Sequence, residues 1–326
     1  VAGIVQQHGI DGLFMTTLMA GFLLALLGIT GLGAAVKYIP RPVVIGFTNG
    51  IAVLIASTQI KDFFGLEIAK VPSEFLARMQ ALGMHAADFS PQTTALGLCT
   101  LALILSTMRF LPKVPGTILA LLVGTLSAWA LGLPVETIES KFGGIPSGLP
   151  SLHVPSFRPD LLLPMLSPAL TVAMLGAIES LLSAVVADRM SGDKHNPNME
   201  LFAQGVANVF SPLFGGLPAT GAIARTATNI RSGAKTPAAG MIHALTLLAV
   251  LLFAAPLARH IPLAVLAAIL FVVAYNMGEW REIPEILKLS KADVSVWLIT
   301  FALTVLADLT VAVEAGMILA ALLFIR

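Results

Sequence analysis

Long apolar runs, broken at short polar or proline-bearing joints, recur from one end of the chain to the other. Residues 12–36 (GLFMTTLMAGFLLALLGITGLGAAV) hold no charged side chain, and about 20 apolar residues suffice to cross a bilayer as a helix. Such runs place helices near 12–32, 42–60, 93–110, 115–133, 165–188, 200–213, 219–231, 236–257, 262–278, 291–308 and 310–326. The opening VAGIVQQHG reads as the tail of a helix already under way. About eleven full or partial membrane helices are therefore expected after that tail. Several joints carry proline, among them Tyr38-Ile39-Pro40-Arg41-Pro42 and His260-Ile261-Pro262. Proline cannot continue a helix interior but suits the first turn of the next helix. The stretches 61–92 and 134–164 are richer in charge, proline and glycine and are expected outside the bilayer.

Two segments depart from this pattern. GAIESLLSAVVAD (176–188) sets Glu179 among apolar and small residues, with Ser183 one turn further along the same face. FGGLPATGAIARTATNIRSGAK (214–235) has a Gly-Gly-Leu-Pro break and then a short small-residue helix containing Arg225. Ionisable groups at membrane depth are costly, and they mark solute or proton paths. A helix that starts partway across the bilayer aims free N–H groups and its positive dipole end at whatever sits there. Thr220 is placed to cap this helix or bind solute, and the N–H groups of Gly221 and Ala222 to bind an anion. Small residues at this turn also suit close helix packing, and Glu179 a hydrogen bond to a neighbouring helix. Arg225 either draws anions into a cavity or pairs with Glu179. Thr226, Thr228 and Asn229 add hydrogen-bonding groups, whereas His243 and the single cysteine, Cys99, read as packing residues in apolar helices.

Composition agrees with the pattern. Hydrophobic residues make up 57% of the 326 and charged residues 11%, where an ordinary soluble domain carries about 25% charge. Mean hydropathy is +0.90. The net charge of +1 says little about partners, and no basic cluster suggests nucleic acid. Taking 12–32 as running inward puts twelve Lys and Arg on one side and six on the other, with Arg225 in the membrane; the richer side is expected to be cytoplasmic. No metal-ligand spacing, phosphate-binding glycine loop or nucleophile elbow occurs in the sequence, so no cofactor or enzyme activity is expected.

Three stretches resemble the sulfate permease (SulP) family, also called solute carrier family 26: YIPRPVVIGFTNGIAVLIASTQIKDFFGL (38–66), residues 176–237, and DLTVAVEAGMILA (308–320). The resemblance implies an all-α, polytopic, UraA-like transporter of seven plus seven inverted repeats, with a core and a gate domain and usually dimeric. On that pattern residues 1–36 and 159–257 belong to the core, and 37–158 and 258–326 to the gate. The chain would begin within the third helix and stop in the fourteenth, without the STAS domain that normally follows. The anion would sit at Thr220, Gly221, Ala222, Ile223, Ala224 and Arg225. Glu179 and Ser183 would serve proton coupling, Glu179 matching the family's acidic position on helix eight and Arg225 a basic position on helix ten. Sodium-coupled bicarbonate transporters of the family carry Asp in place of Glu179 and Thr in place of Ile223, so protons are favoured over sodium here. The expected function is secondary active transport of sulfate or a similar anion in the bacterial inner membrane, with an elevator-like motion. Related alternatives are C4-dicarboxylate or bicarbonate transport, or an uncoupled channel or exchanger. The expected partners are the anion, a proton, the lipid bilayer and a second copy of the chain.

Overall fold

The structure, a computed structural model, describes residues 2–34, 40–69, 71–112, 114–144, 148–149, 151–152, 159–231, 233–307 and 315. Among these the helices run in order as α1 (Ala2–Ile29), α2 (Arg41–Phe64), α3 (Phe75–Met84), α4 (Pro91–Phe110), α5 (Gly116–Ala130), α6 (Ile138–Phe142) and α7 (Leu162–Ser191). They continue as α8 (Pro197–Phe210), α9 (Ile223–Arg231), α10 (Ala238–Ala249), α11 (Ala255–Ala258), α12 (Leu263–Met277), α13 (Ile283–Ile286) and α14 (Lys291–Leu306). Six helical stretches among the described residues are long and apolar enough to cross a membrane. The helix expected over 310–326 lies outside the described residues.

Local chemistry accounts for most boundaries. Pro40, extended at φ −65° and ψ 135°, precedes α2, and Gly65 ends it in the left-handed region at φ 64°, where a side chain would be strained. Asn196 caps α8 by accepting from the N–H groups of Asn198 (3.0 Å) and Met199 (3.2 Å). Gly9, at φ 70° and ψ −171°, interrupts α1 and separates the opening tail from the span.

Three features differ from the sequence pattern. The stretch 61–92 contains α3, whose 10 residues are too short to give a span signal. Its Arg78, only 8% exposed, donates to Ser57 Oγ (2.9 Å), Ser73 O (2.6 Å) and Pro72 O (3.2 Å), tying the helix to α2. The expected helix 236–257 is divided into α10, a π turn at Val250–Ala254, and α11. Pro256 has no N–H for the carbonyl four residues back, which favours the wider turn. Cys99 is exposed on α4, on a face shared with Leu98 and Leu105, and His243 is also exposed. On a membrane helix the outer face is as apolar as the inner one, so hydropathy cannot tell which residues are packed.

The chain divides into two compact units, Val1–Ile39 with Gly148–Leu248 and Pro40–Ser147 with Ala249–Arg326. In the first, α1 lies along α8 at very short range. A Cβ on Gly205 would stand 2.4 Å from the backbone N of Ala25, and one on Gly28 would stand 2.6 Å from Asn198 O and Phe202 N. Lipid tails are as apolar as leucine, so helices in a bilayer associate through such close packing rather than through water exclusion. Ala20, Leu24, Ala173, Ala177, Leu181 and Leu201 close the core between α1, α7 and α8. The second unit uses the same device. Gly46 and Gly50 of α2 admit the Trp297 carbonyl and the Thr304 side chain of α14. Phe63 of α2 meets Phe271 of α12 edge to face at 5.1 Å.

Candidate functional site

The two segments that broke the apolar pattern meet in the first unit. Thr220 Oγ donates to the Gly176 carbonyl of α7 at 3.1 Å. Ser183 Oγ and Thr226 Oγ lie 2.6 Å apart, joining α7 to the first turn of α9. Between these two links the chain at Gly221 presses on α7, where a Cβ would lie 3.0 Å from Ser180 Cα and 3.3 Å from Ser183 Cβ. Glycine at 221 and small residues at 180 and 183 suit this approach.

The helix begins at Ile223, four residues later than the sequence pattern suggested. The first bond into it runs from Thr226 N to Ala222 O at 2.9 Å. Ala222 is therefore the N-terminal cap position, and Ala222, Ile223, Ala224 and Arg225 hold the four N–H groups that helix geometry leaves without an intrahelical acceptor. Gly221 lies just ahead of them. Thr220 does not cap the helix, because its hydroxyl is committed to Gly176.

Residues 217–221 stay outside any helix, and side chains of α8 and the turn after it take up their backbone groups. Asn208, 1% exposed, grips Ala219 at both polar atoms: Ala219 N donates to Asn208 Oδ1 (2.8 Å), and Asn208 Nδ2 donates to Ala219 O (2.8 Å). Gln204 Nε2 donates to the same carbonyl. Ser211 Oγ donates to Leu217 O at 2.7 Å. A second carboxylate joins this network, since Ser180 Oγ donates to Glu200 Oε1 at 2.5 Å. The sequence pattern gave no role to Ser180, Glu200, Gln204 or Asn208. Their spacing on α8 (200, 204, 208) is one helical face, a signal that gains meaning only when the facing chain is known.

Glu179 is half-buried on α7 and Arg225 is exposed on α9. Among the described residues no ion pair joins them. Ser183 is buried, at 4% exposure. Asp188, in the last turn of α7, accepts from His195 N (2.9 Å) and faces His195 Nδ1 (2.7 Å), which pins the connection into α8. The side chain of Thr228 lies outside the described residues, as do Asp308 and Glu314. The whole is a polar turn, with free N–H groups and a nearby carboxylate, set within a mostly apolar helical unit. It can hold an anion by backbone donors and the helix dipole.

Residues 1–300 match the model of the sulfate permease family. YvdB of Bacillus subtilis, provisionally named a sulfate transporter, is 45% identical over 326 residues, covering 99% of this chain and 61% of that protein. The bicarbonate transporter BicA of Picosynechococcus is 36% identical over 321 residues, covering 98% of this chain and 56% of that protein. The chain thus spans less than two thirds of these relatives. Among solved structures, the transmembrane domain of a cyanobacterial BicA superposes with a TM-score of 0.81 at 37% identity, over 95% of this chain and 79% of that one. Murine SLC26A9 in its inward-facing state superposes at 0.84 with 18% identity, over 97% and 52%, a likeness of fold alone. The UraA-like transporter fold expected from the sequence is the fold observed.

Proposed function

This chain belongs to the sulfate permease family, and we propose that the protein carrying it is a secondary active anion transporter of the bacterial inner membrane. The observation that carries the reading is the start of α9, held against α7 by the Thr220–Gly176 and Ser183–Thr226 bonds, with its first N–H groups free of an acceptor among the described residues. An anion bound there takes its hydrogen bonds from residues 222–225, with Thr220 and Gly221 forming the adjoining wall. Arg225, free of any ion pair among the described residues, adds positive field. Glu179 carries the proton, and Ser183 holds the α9 turn one helical turn away from it. The Ile223 side chain supplies no oxygen for sodium, which favours proton coupling.

Sulfate or a similar small inorganic anion is the substrate this reading favours, and the similarity to YvdB supports it. Bicarbonate is the second candidate, supported by the similarity to BicA. The unit formed by Val1–Ile39 and Gly148–Leu248 serves as the moving core, the other unit as the gate, and the protein works as a homodimer. The test is uptake of labelled sulfate, bicarbonate, succinate and fumarate by the full-length protein in liposomes, with and without an inward proton gradient. Glu179→Gln should abolish the gradient-driven part while leaving exchange of the same anion. Uptake by Glu179→Gln that still follows the gradient would remove the proton role, and flux indifferent to any gradient in the unsubstituted protein would make it an uncoupled channel or exchanger.

A further inference from the structure

A second carboxylate, unused by the reading above, reaches the same turn through a chain of hydrogen bonds. Ser180 Oγ lies 2.5 Å from Glu200 Oε1 and 3.5 Å from Gln204 Oε1. Both neighbours are acceptors at these atoms, and a serine hydroxyl has one proton to give. With Glu200 ionised, that proton is committed to the charge-assisted bond, the shorter and stronger of the two. Gln204 then keeps its Nε2 bond to the Ala219 carbonyl but has no close donor at Oε1. Were residue 200 neutral and a donor, it would donate to Ser180 Oγ. The serine proton would then be free for Gln204 Oε1, and Gln204 would be anchored at both ends. Ser180 is fully buried, so its hydroxyl has only these two acceptors to choose between, while Glu200 and Gln204 are half-buried.

We propose that Glu200 is a positioning carboxylate of the anion turn: its charge sets the direction of the Ser180–Gln204–Ala219 relay and so how firmly the chain entering α9 is held. The inference rests on the anion-transport reading for its consequence but not for its geometry. The charged groups on neighbouring elements are Glu179, Asp188 and Arg189 on α7, Asp193, Lys194 and His195 in the connection, and Arg225 and Arg231 on α9. Asp188 and His195 are paired with each other. The remainder of α8 has none, nor has the part of α1, residues 15–29, that packs on it. Removing the charge on Glu200 therefore acts on the turn through Ser180 and, more weakly, through the field.

Glu200→Gln separates these routes, because its amide donates to Ser180 Oγ as a neutral acid would. In the full-length protein, Glu200→Gln should lower the KM for the transported anion about fivefold with the maximal rate nearly unchanged. In a Ser180→Ala background the same substitution should change KM by less than about twofold. An equal fall in KM with and without the serine would mean that the field alone acts, and no fall in Glu200→Gln would likewise overturn the relay. A second readout does not depend on transport. Amide hydrogen exchange over residues 219–222 should slow about fivefold in Glu200→Gln and return to its original rate when Ser180→Ala is added. If the unsubstituted protein moves no anion while this exchange pattern holds, the transport reading fails and the relay stands. Exchange unaffected by Glu200→Gln would overturn the relay itself.

Discussion

Gly205 faces away from the anion turn, yet it should govern that turn more strongly than several residues that touch it. A Cβ at this position would lie 2.4 Å from Ala25 N, 2.6 Å from Gly21 O and 2.8 Å from Ala25 Cα. All three are backbone atoms, so no rotamer can yield. Ordinary contact is about 3.5 Å, so Gly205→Ala must move α8 away from α1 by about 1 Å. Overpacking of this kind costs about 1–3 kcal/mol. The same helix carries Gln204 one residue earlier and Asn208 three residues later, and these hold Ala219. A displacement of about 1 Å at a binding constellation costs up to about a hundredfold in rate. Gly205→Ala should therefore lose about tenfold to a hundredfold in anion uptake per molecule of protein, and its melting midpoint in detergent should fall by about 2–4 °C for each kcal/mol lost. Gly240→Ala is the control, because nothing lies within 4 Å of a Cβ there; it should be neutral or slightly stabilising, as alanine favours helix over glycine by up to about 1 kcal/mol. Unchanged uptake and melting in Gly205→Ala would refute the claim that glycine contact between α1 and α8 sets the site.

Asn208→Leu keeps the branched shape but removes three hydrogen bonds, to Ala219 N, Ala219 O and Gln204 O. At about 0.5–1.5 kcal/mol each, and with Ala219 exposed enough for water to replace part of the loss, it should cost about 2 kcal/mol and raise KM more than it lowers the maximal rate, as read from uptake over a range of anion concentrations. Arg78→Met removes the three donors that tie α3 to α2 and to the preceding turn. Hydrogen exchange over residues 71–85 should then quicken about tenfold while anion uptake changes little, and exchange confined to its original rate would count against Arg78 as the anchor.

Spans, proline-bearing joints and the identity of the unusual segments were legible along the chain because each depends on near neighbours. Hydropathy marks a membrane helix within about 20 residues, and Pro40, Gly65 and Asn196 act within a turn. Glu179, Ser183 and Thr220 could be singled out because an ionisable or polar residue amid apolar ones is conspicuous by itself. The chain from Leu217 to Gly221 could not be read in the same way. Gly-Gly-Leu-Pro reads as a break, but where the helix resumes depends on Asn208, Gln204 and Ser211, which bind backbone groups of Leu217 and Ala219.

What the sequence determined alone, then, was a polytopic helical protein with one interrupted polar segment, since apolar length and proline placement are local quantities. The tertiary structure decided where the free N–H groups lie, moving them from 221–222 to 222–225, and which side chains hold them. It also decided which apolar faces pack and which remain exposed, leaving Cys99 outside and Gly205 against a backbone. The reason is common to all of these: in lipid both faces of a helix are apolar, and a polar side chain bonded to a distant backbone group leaves no periodic mark in the sequence.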